Sequence, residues 1–133
     1  SNNSVFAGRT VDGYTFIVTE ATMLPKLPGV REMLVHVSGS TDGLSITLPE
    51  HMTLGQKITV VNTDNVKVSV NRFGAGYTLN GTSGIQLDNT NASVANKAHS
   101  AMTLVCSSDS ISSDAYAMTL IHATELYGGV VQY

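Results

Sequence analysis

Residues 44–81 read LSITLPEHMTLGQKITVVNTDNVKVSVNRFGAGYTLNG, and this stretch decides the fold class. Short runs of β-formers at 44–48, 57–62, 66–71 and 77–79 are separated by turn chemistry. Leu44, Ile46 and Leu48 alternate with Ser45 and Thr47, the period-two pattern of a strand with one buried face. Ile58 and Val60 share one face of the second run, and Val66, Val68 and Val70 share one face of the third. Between those runs lies Thr63-Asp64-Asn65, suited to a tight reversal because Asp and Asn tolerate the left-handed region and bond their own backbone. The expectation is a hairpin of 57–62 with 66–71, inside a β-meander with one wet face. Asn80-Gly81 is the strongest type I′ turn signal of the chain.

The pattern continues outward. Residues 14–19 form a strand with Phe16 and Val18 on one face, and 31–38 a strand with Met33, Val35 and Val37 on one face. Between them, 20–30 reads as a loop, since Pro25 and Pro28 oppose both helix interior and central strand. Gly39–Gly43 (GSTDG) reads as a hairpin connection into the central stretch. Further on, 85–87, 100–106, 115–122 and 129–133 complete the strands, with Ala101, Thr103 and Val105 sharing a face. Residues 88–98 are a polar loop with room for a single helical turn, and 107–114 a Ser/Asp tip. No helical period extends beyond a turn or two. Strands spaced near ten residues predict an all-β fold, an antiparallel β-sandwich or jelly-roll-like barrel of short strands. No fixed-period repeat marks a β-helix.

The chain has 133 residues, room for one core rather than two. Two parts are expected within one compact domain. Residues 1–43 hold an arm, SNNSVFAG, and first strands that dock or oligomerise, and residues 44–133 hold the core. Val5 and Phe6 favour docking of the arm. Ser1 fits a trimmed initiator Met, which predicts a complete small protein. Only 13 % of residues are charged, against roughly 25 % in ordinary soluble domains. Ser, Thr, Asn and Gly supply polarity that costs less to desolvate than ions do, which suits packing against neighbours. Net charge is −3 and the seven bases stand singly, which argues against a nucleic-acid footprint. No apolar run reaches a membrane span. The one cysteine, Cys106, lies in an apolar strand and reads as a small hydrophobe.

Chemistry-bearing motifs are scarce. His36, His51, His99 and His122 have no zinc spacing. There is no G-x-S-x-G elbow, and Gly74, Gly76, Gly81 and Gly84 lack the lysine and helix of a phosphate loop. Asp109 and Asp114 flank the Ser-rich tip but lack EF-hand spacing. The N-glycan patterns at Asn2, Asn80 and Asn91 match by composition. Arg72, Phe73 and Tyr77, beside the RFGAG reversal, form the one tip able to face a ligand. The opposing reading is that Phe73 and Tyr77 cap the core. No catalytic residue, cofactor or metal is expected, and the chain is not read as an enzyme.

Taken together, ITLP at 46–49, Gly55, KITVVNTD at 57–64, VKVSV at 66–70, G-x-G-x-x-LNG at 74–81 and SAMTLVC at 100–106 resemble a β-domain of tailed-bacteriophage virion proteins. Capsid decoration (cement) proteins, head fibres and tail-fibre modules carry it. The resemblance covers 44–106. It implies a structural virion protein on the outer capsid surface, a homotrimer bound across neighbouring copies of the major capsid protein. In that reading Val5, Phe6, Pro25, Leu27 and Pro28 would contact capsid or sister subunits. The alternative is a fibre or appendage module binding a host receptor or glycan through Arg72, Phe73 and Tyr77. A small hydrolase ranks last.

Overall fold

The computed structural model describes residues 5–9, 13–26, 28–38, 43–64, 66–89, 100–108, 115–124 and 130–132. The described residues are strands and their connections, without helix: β1 (Val5–Arg9), β2 (Gly13–Val18), β3 (Thr22–Met23), β4 (Glu32–Val37), β5 (Leu44–Thr47), β6 (Lys57–Asn62), β7 (Lys67–Asn71), β8 (Thr78–Leu79), β9 (Gly84–Asp88), β10 (Ser100–Ser108), β11 (Ala117–Ala123) and β12 (Val130–Gln132). A seven-stranded sheet runs β1-β2-β4-β6-β10-β11-β8, and a five-stranded sheet runs β12-β9-β7-β5-β3.

The all-β expectation holds, but the antiparallel one does not: both sheets are mixed. β2 pairs parallel with β4, β4 with β6, β3 with β5, β5 with β7, and β8 with β11. The remaining pairs, such as β6 with β10 and β7 with β9, are antiparallel. The cause is the path of the chain. From β2 to β7, successive strands alternate between the two sheets. Each strand's neighbour is therefore the strand two places on, running the same way. The expected meander is absent for the same reason. β6 and β7 lie in different sheets, as do β4 and β5, so neither 63–65 nor 39–43 closes a hairpin. Of these connections, residues 39–42 and 65 lie outside the described residues, as does the helical turn considered within 88–98 from residue 90 onward.

The period-two reading of faces holds in detail. In β4 Met33, Val35 and Val37 are buried; in β6 Ile58 and Val60; in β7 Val68 and Val70. With Leu44, Ile46 and Leu48 from the second sheet and Met102, Leu104 and Cys106 from β10, they form one hydrophobic cluster drawn from both sheets. Each fully buried Val, Leu or Ile contributes about 1.5–3 kcal/mol relative to exposure. Phe16 and Val18 of β2 belong to the same cluster.

Two backbone positions are set by sterics. A Cβ on Gly13 would lie 1.8 Å from the Glu32 carbonyl oxygen, so only glycine lets β2 begin this close to β4. Asn80 (φ 52°) and Gly81 (φ 80°) both occupy the left-handed region, as a type I′ turn requires. Leu79 and Thr82 exchange backbone bonds across that turn at 2.8 and 2.9 Å.

Candidate functional site

At one end of the core sits an aromatic cap. Tyr116 is buried, and its hydroxyl donates to the Pro49 carbonyl at 2.5 Å. Tyr77 meets it edge to face, ring centroids 4.9 Å apart, and donates its hydroxyl to the Glu50 carbonyl at 3.0 Å. Phe73 lies 5.4 Å from Tyr77 on the solvent side. Burial pushes the Tyr116 phenol well above its ordinary range, and the neighbouring Cys106 and Tyr77 add to the shift. Cys106, the chain's one cysteine, is a buried thiol whose Sγ donates to the Ser108 carbonyl at 3.7 Å.

Arg72, Phe73 and Tyr77 thus come together, but Tyr77 is only 8 % exposed and turned inward. Arg72 is half-buried; its backbone N–H donates to Ser83, and its guanidinium reaches the Tyr77 carbonyl at 3.5 Å. Pro25 and Pro28 are exposed on the connection from β3 to β4, and Leu27 between them lies outside the described residues. Val5 and Phe6 pair through their backbones with Val18 and Ile17, placing the arm's second half at the edge of the seven-stranded sheet. Residues 1–4 lie outside the described residues.

The opposite end is closed by buried amides, Asn62 at the end of a strand and Asn89 in a stretch read as a polar loop. Asn62 continues the inward face of Ile58 and Val60. Its side-chain nitrogen donates to the Val66 carbonyl at 2.7 Å and the Leu87 carbonyl at 3.2 Å, and its oxygen accepts from the Asp64 N–H at 3.2 Å. Asn89 donates to the carbonyls of Asn62 (2.7 Å) and Asp64 (2.9 Å) and accepts from the Ser100 N–H at 3.1 Å. The side chain of Asn62 thereby turns the chain out of one sheet into the other, where a hairpin would have kept it in one. The available signal was the alternation itself, Ile58-x-Val60-x-Asn62, which puts the amide inside.

The outer face of the seven-stranded sheet is different in kind. Cross-strand register aligns Thr15, Leu34, Thr59 and Thr103 in one row and Ile17, His36, Val61 and Ala101 in the next. Glu32, Lys57 and Val105 make a third row, with the two charges directly opposite each other. Ile17 and Leu34 are 37 % and 38 % exposed. Polar groups here are partly satisfied internally: Thr59 and Thr103 share a bond of 2.9 Å, and His36 bonds Thr63 at 2.9 Å. Such a face loses little on leaving water.

Of the remaining histidines, His51 is exposed beside Glu50 and His122 is exposed, while His99 lies outside the described residues, as do Asp109 and Asp114. Among the described residues no three His, Cys, Asp or Glu side chains gather in a metal-binding group, and no helix is long and apolar enough to cross a membrane. No protein-family model matches the chain, and no curated protein matches it.

Proposed function

We propose that this chain is a structural contact protein of a tailed-phage virion, a capsid decoration protein that binds copies of itself and neighbouring capsid subunits. The observation that carries the reading is the outer face of the seven-stranded sheet: among the described residues, Thr15, Ile17, Leu34, His36, Thr59, Val61, Ala101, Thr103 and Val105 present a broad surface with acidic and basic side chains only in the Glu32/Lys57 row at one end. Contact surfaces of assembled proteins are depleted of charge in this way. The sequence resemblance over 44–106 gives the proposal its virion setting. We read the two sheets, which share one core cluster, as the faces of a β-sandwich with a jelly-roll-like path.

The mechanism is mass action. A subunit that binds only the expanded shell stabilises that state by the free energy of binding. The edge strand β1 and the Pro25/Pro28 loop are the parts that reach neighbours. Self-association into a trimer places several copies of the face on one particle and multiplies weak contacts.

The test is co-sedimentation with assembled shells and with free coat subunits, together with solution mass by light scattering. Binding to shells but not to free subunits, with a mass above that of one 14.0 kDa chain, is the expected result. A monomer that ignores shells overturns the reading.

A further inference from the structure

We infer that the groove between the turns at 28–31 and 53–56 docks a segment of a shell protein that presents an aliphatic side chain beside a carboxylate. The inference rests on the contact function proposed above and names the partner chemistry for one part of it. Gly29, Val30, Arg31, Thr53, Leu54, Gly55 and Gln56 line the groove.

The groove is built rather than incidental. Gln56 is 6 % exposed, and its side chain ties the two walls together. Its nitrogen donates to the Val30 carbonyl at 2.7 Å, and its oxygen accepts from the Thr53 N–H at 2.7 Å. The Lys57 N–H donates to the Arg31 carbonyl at 3.1 Å, and the Gly55 N–H to the Cys106 carbonyl at 2.8 Å. The walls are therefore set before anything binds, which lowers the entropy cost of binding.

Shape and charge select the occupant. The groove holds about 280 Å³ and is open to solvent, so a side chain projecting from a partner's surface can enter it. Val30 and Leu54 supply apolar walls, and Leu54 is 60 % exposed, so an aliphatic group gains by covering it. Arg31 is exposed and its guanidinium has no partner among the described residues. Glu32 lies in register with Lys57 on the neighbouring strand, so two cations stand beside one carboxylate at this end, and the planar fork of Arg31 suits a further carboxylate. The groove also adjoins the charged row at the end of the outer face, since Arg31 and Gln56 directly precede Glu32 and Lys57.

The probe is N-acetyl-L-leucine, with N-acetyl-L-leucinamide as its neutral control, titrated into the full chain and followed by NMR. The acid is expected to shift the signals of Val30, Leu54 and Gln56, and the amide to bind about tenfold more weakly or worse. Arg31→Gln should erase the difference between the two probes, and Leu54→Ser should weaken both, each with unchanged melting temperature. No shift at millimolar acid, shifts centred elsewhere, or equal binding of acid and amide overturns the groove. In sedimentation, loss of shell binding by both variants supports the inference. Normal shell binding by both variants overturns it and leaves the contact function intact. A wild-type chain that binds the acid but no shell overturns the contact function and the docking role together, while retaining the groove's chemistry.

Discussion

Asn89 donates its side-chain amide to the backbone carbonyl of Asn62 at 2.7 Å, tying the end of the five-stranded sheet to the seven-stranded one. Both residues are buried, and all their bonds except those to half-buried Asp64 are made away from water. Asn89→Ala leaves the carbonyls of Asn62 and Asp64 without this donor and the Ser100 N–H without its acceptor. At about 1–3 kcal/mol for each of the two fully buried groups, the loss should reach at least about 2 kcal/mol. Urea unfolding measures it, and a loss below about 1 kcal/mol would show that the amide is not what joins the sheets at this end.

Ser100 gives the opposite sign at the same place. Its hydroxyl is buried without a hydrogen-bond partner among the described residues. Ser100→Ala removes a desolvated polar group and keeps the N–H that Asn89 accepts. Stability should stay level or rise by about 1 kcal/mol. A marked fall in the unfolding midpoint would mean that the hydroxyl has a partner.

At the aromatic end, Tyr116→Phe keeps the ring against Tyr77 and removes the bond to Pro49. A loss of about 1–2 kcal/mol is expected at neutral pH. The phenol also sets a pH dependence. Its pKa in the folded chain is raised above the unfolded value near 10, so its contribution is complete below pH 10 and is lost as pH rises beyond it. Above pH 10 the unfolded chain binds fewer protons at this site, and stability falls by up to about 1.4 kcal/mol per pH unit. The difference between wild type and Tyr116→Phe should therefore shrink from pH 9 to pH 11. A constant difference would place the phenol in water.

Gly13 and Gly81 separate two reasons for glycine. Gly13→Ala drives a methyl into the Glu32 carbonyl and should cost about 3 kcal/mol or more, because backbone must move. Gly81→Ala meets open space and carries only the left-handed backbone penalty of about 1–2 kcal/mol. Thermal unfolding of the pair tests the order, and reversal would contradict the close approach of β2 to β4.

On the outer face, replacing Ile17 and Leu34 together by lysine places two charges at its middle. Each side chain is already over a third exposed, so the melting temperature should change little. Self-association and shell binding should fall sharply, because a buried unpaired charge costs far more than a polar contact. Unchanged light scattering and sedimentation would remove this face from any interface.

The sequence by itself determined where most strands lie and which way they face, although β1 falls in the stretch read as an arm and β3 in the one read as a loop. Ile46, Ile58, Val60, Val68 and Val70 point inward because period-two alternation is a property of the extended chain, whatever pairs with it. It also determined the Asn80-Gly81 turn, since few other residues accept two successive left-handed positions. What only the tertiary structure decided was which sheet each strand joins and in which direction. A strand with one buried face satisfies its pattern equally in either sheet, parallel or antiparallel. The choice fell to contacts between residues far apart in sequence, such as Asn62 with Leu87, Tyr116 with Pro49 and Gln56 with Val30. The groove beside Arg31 was hidden for the same reason: its walls are 22 or more residues apart in the chain and meet only because β4 and β6 run side by side.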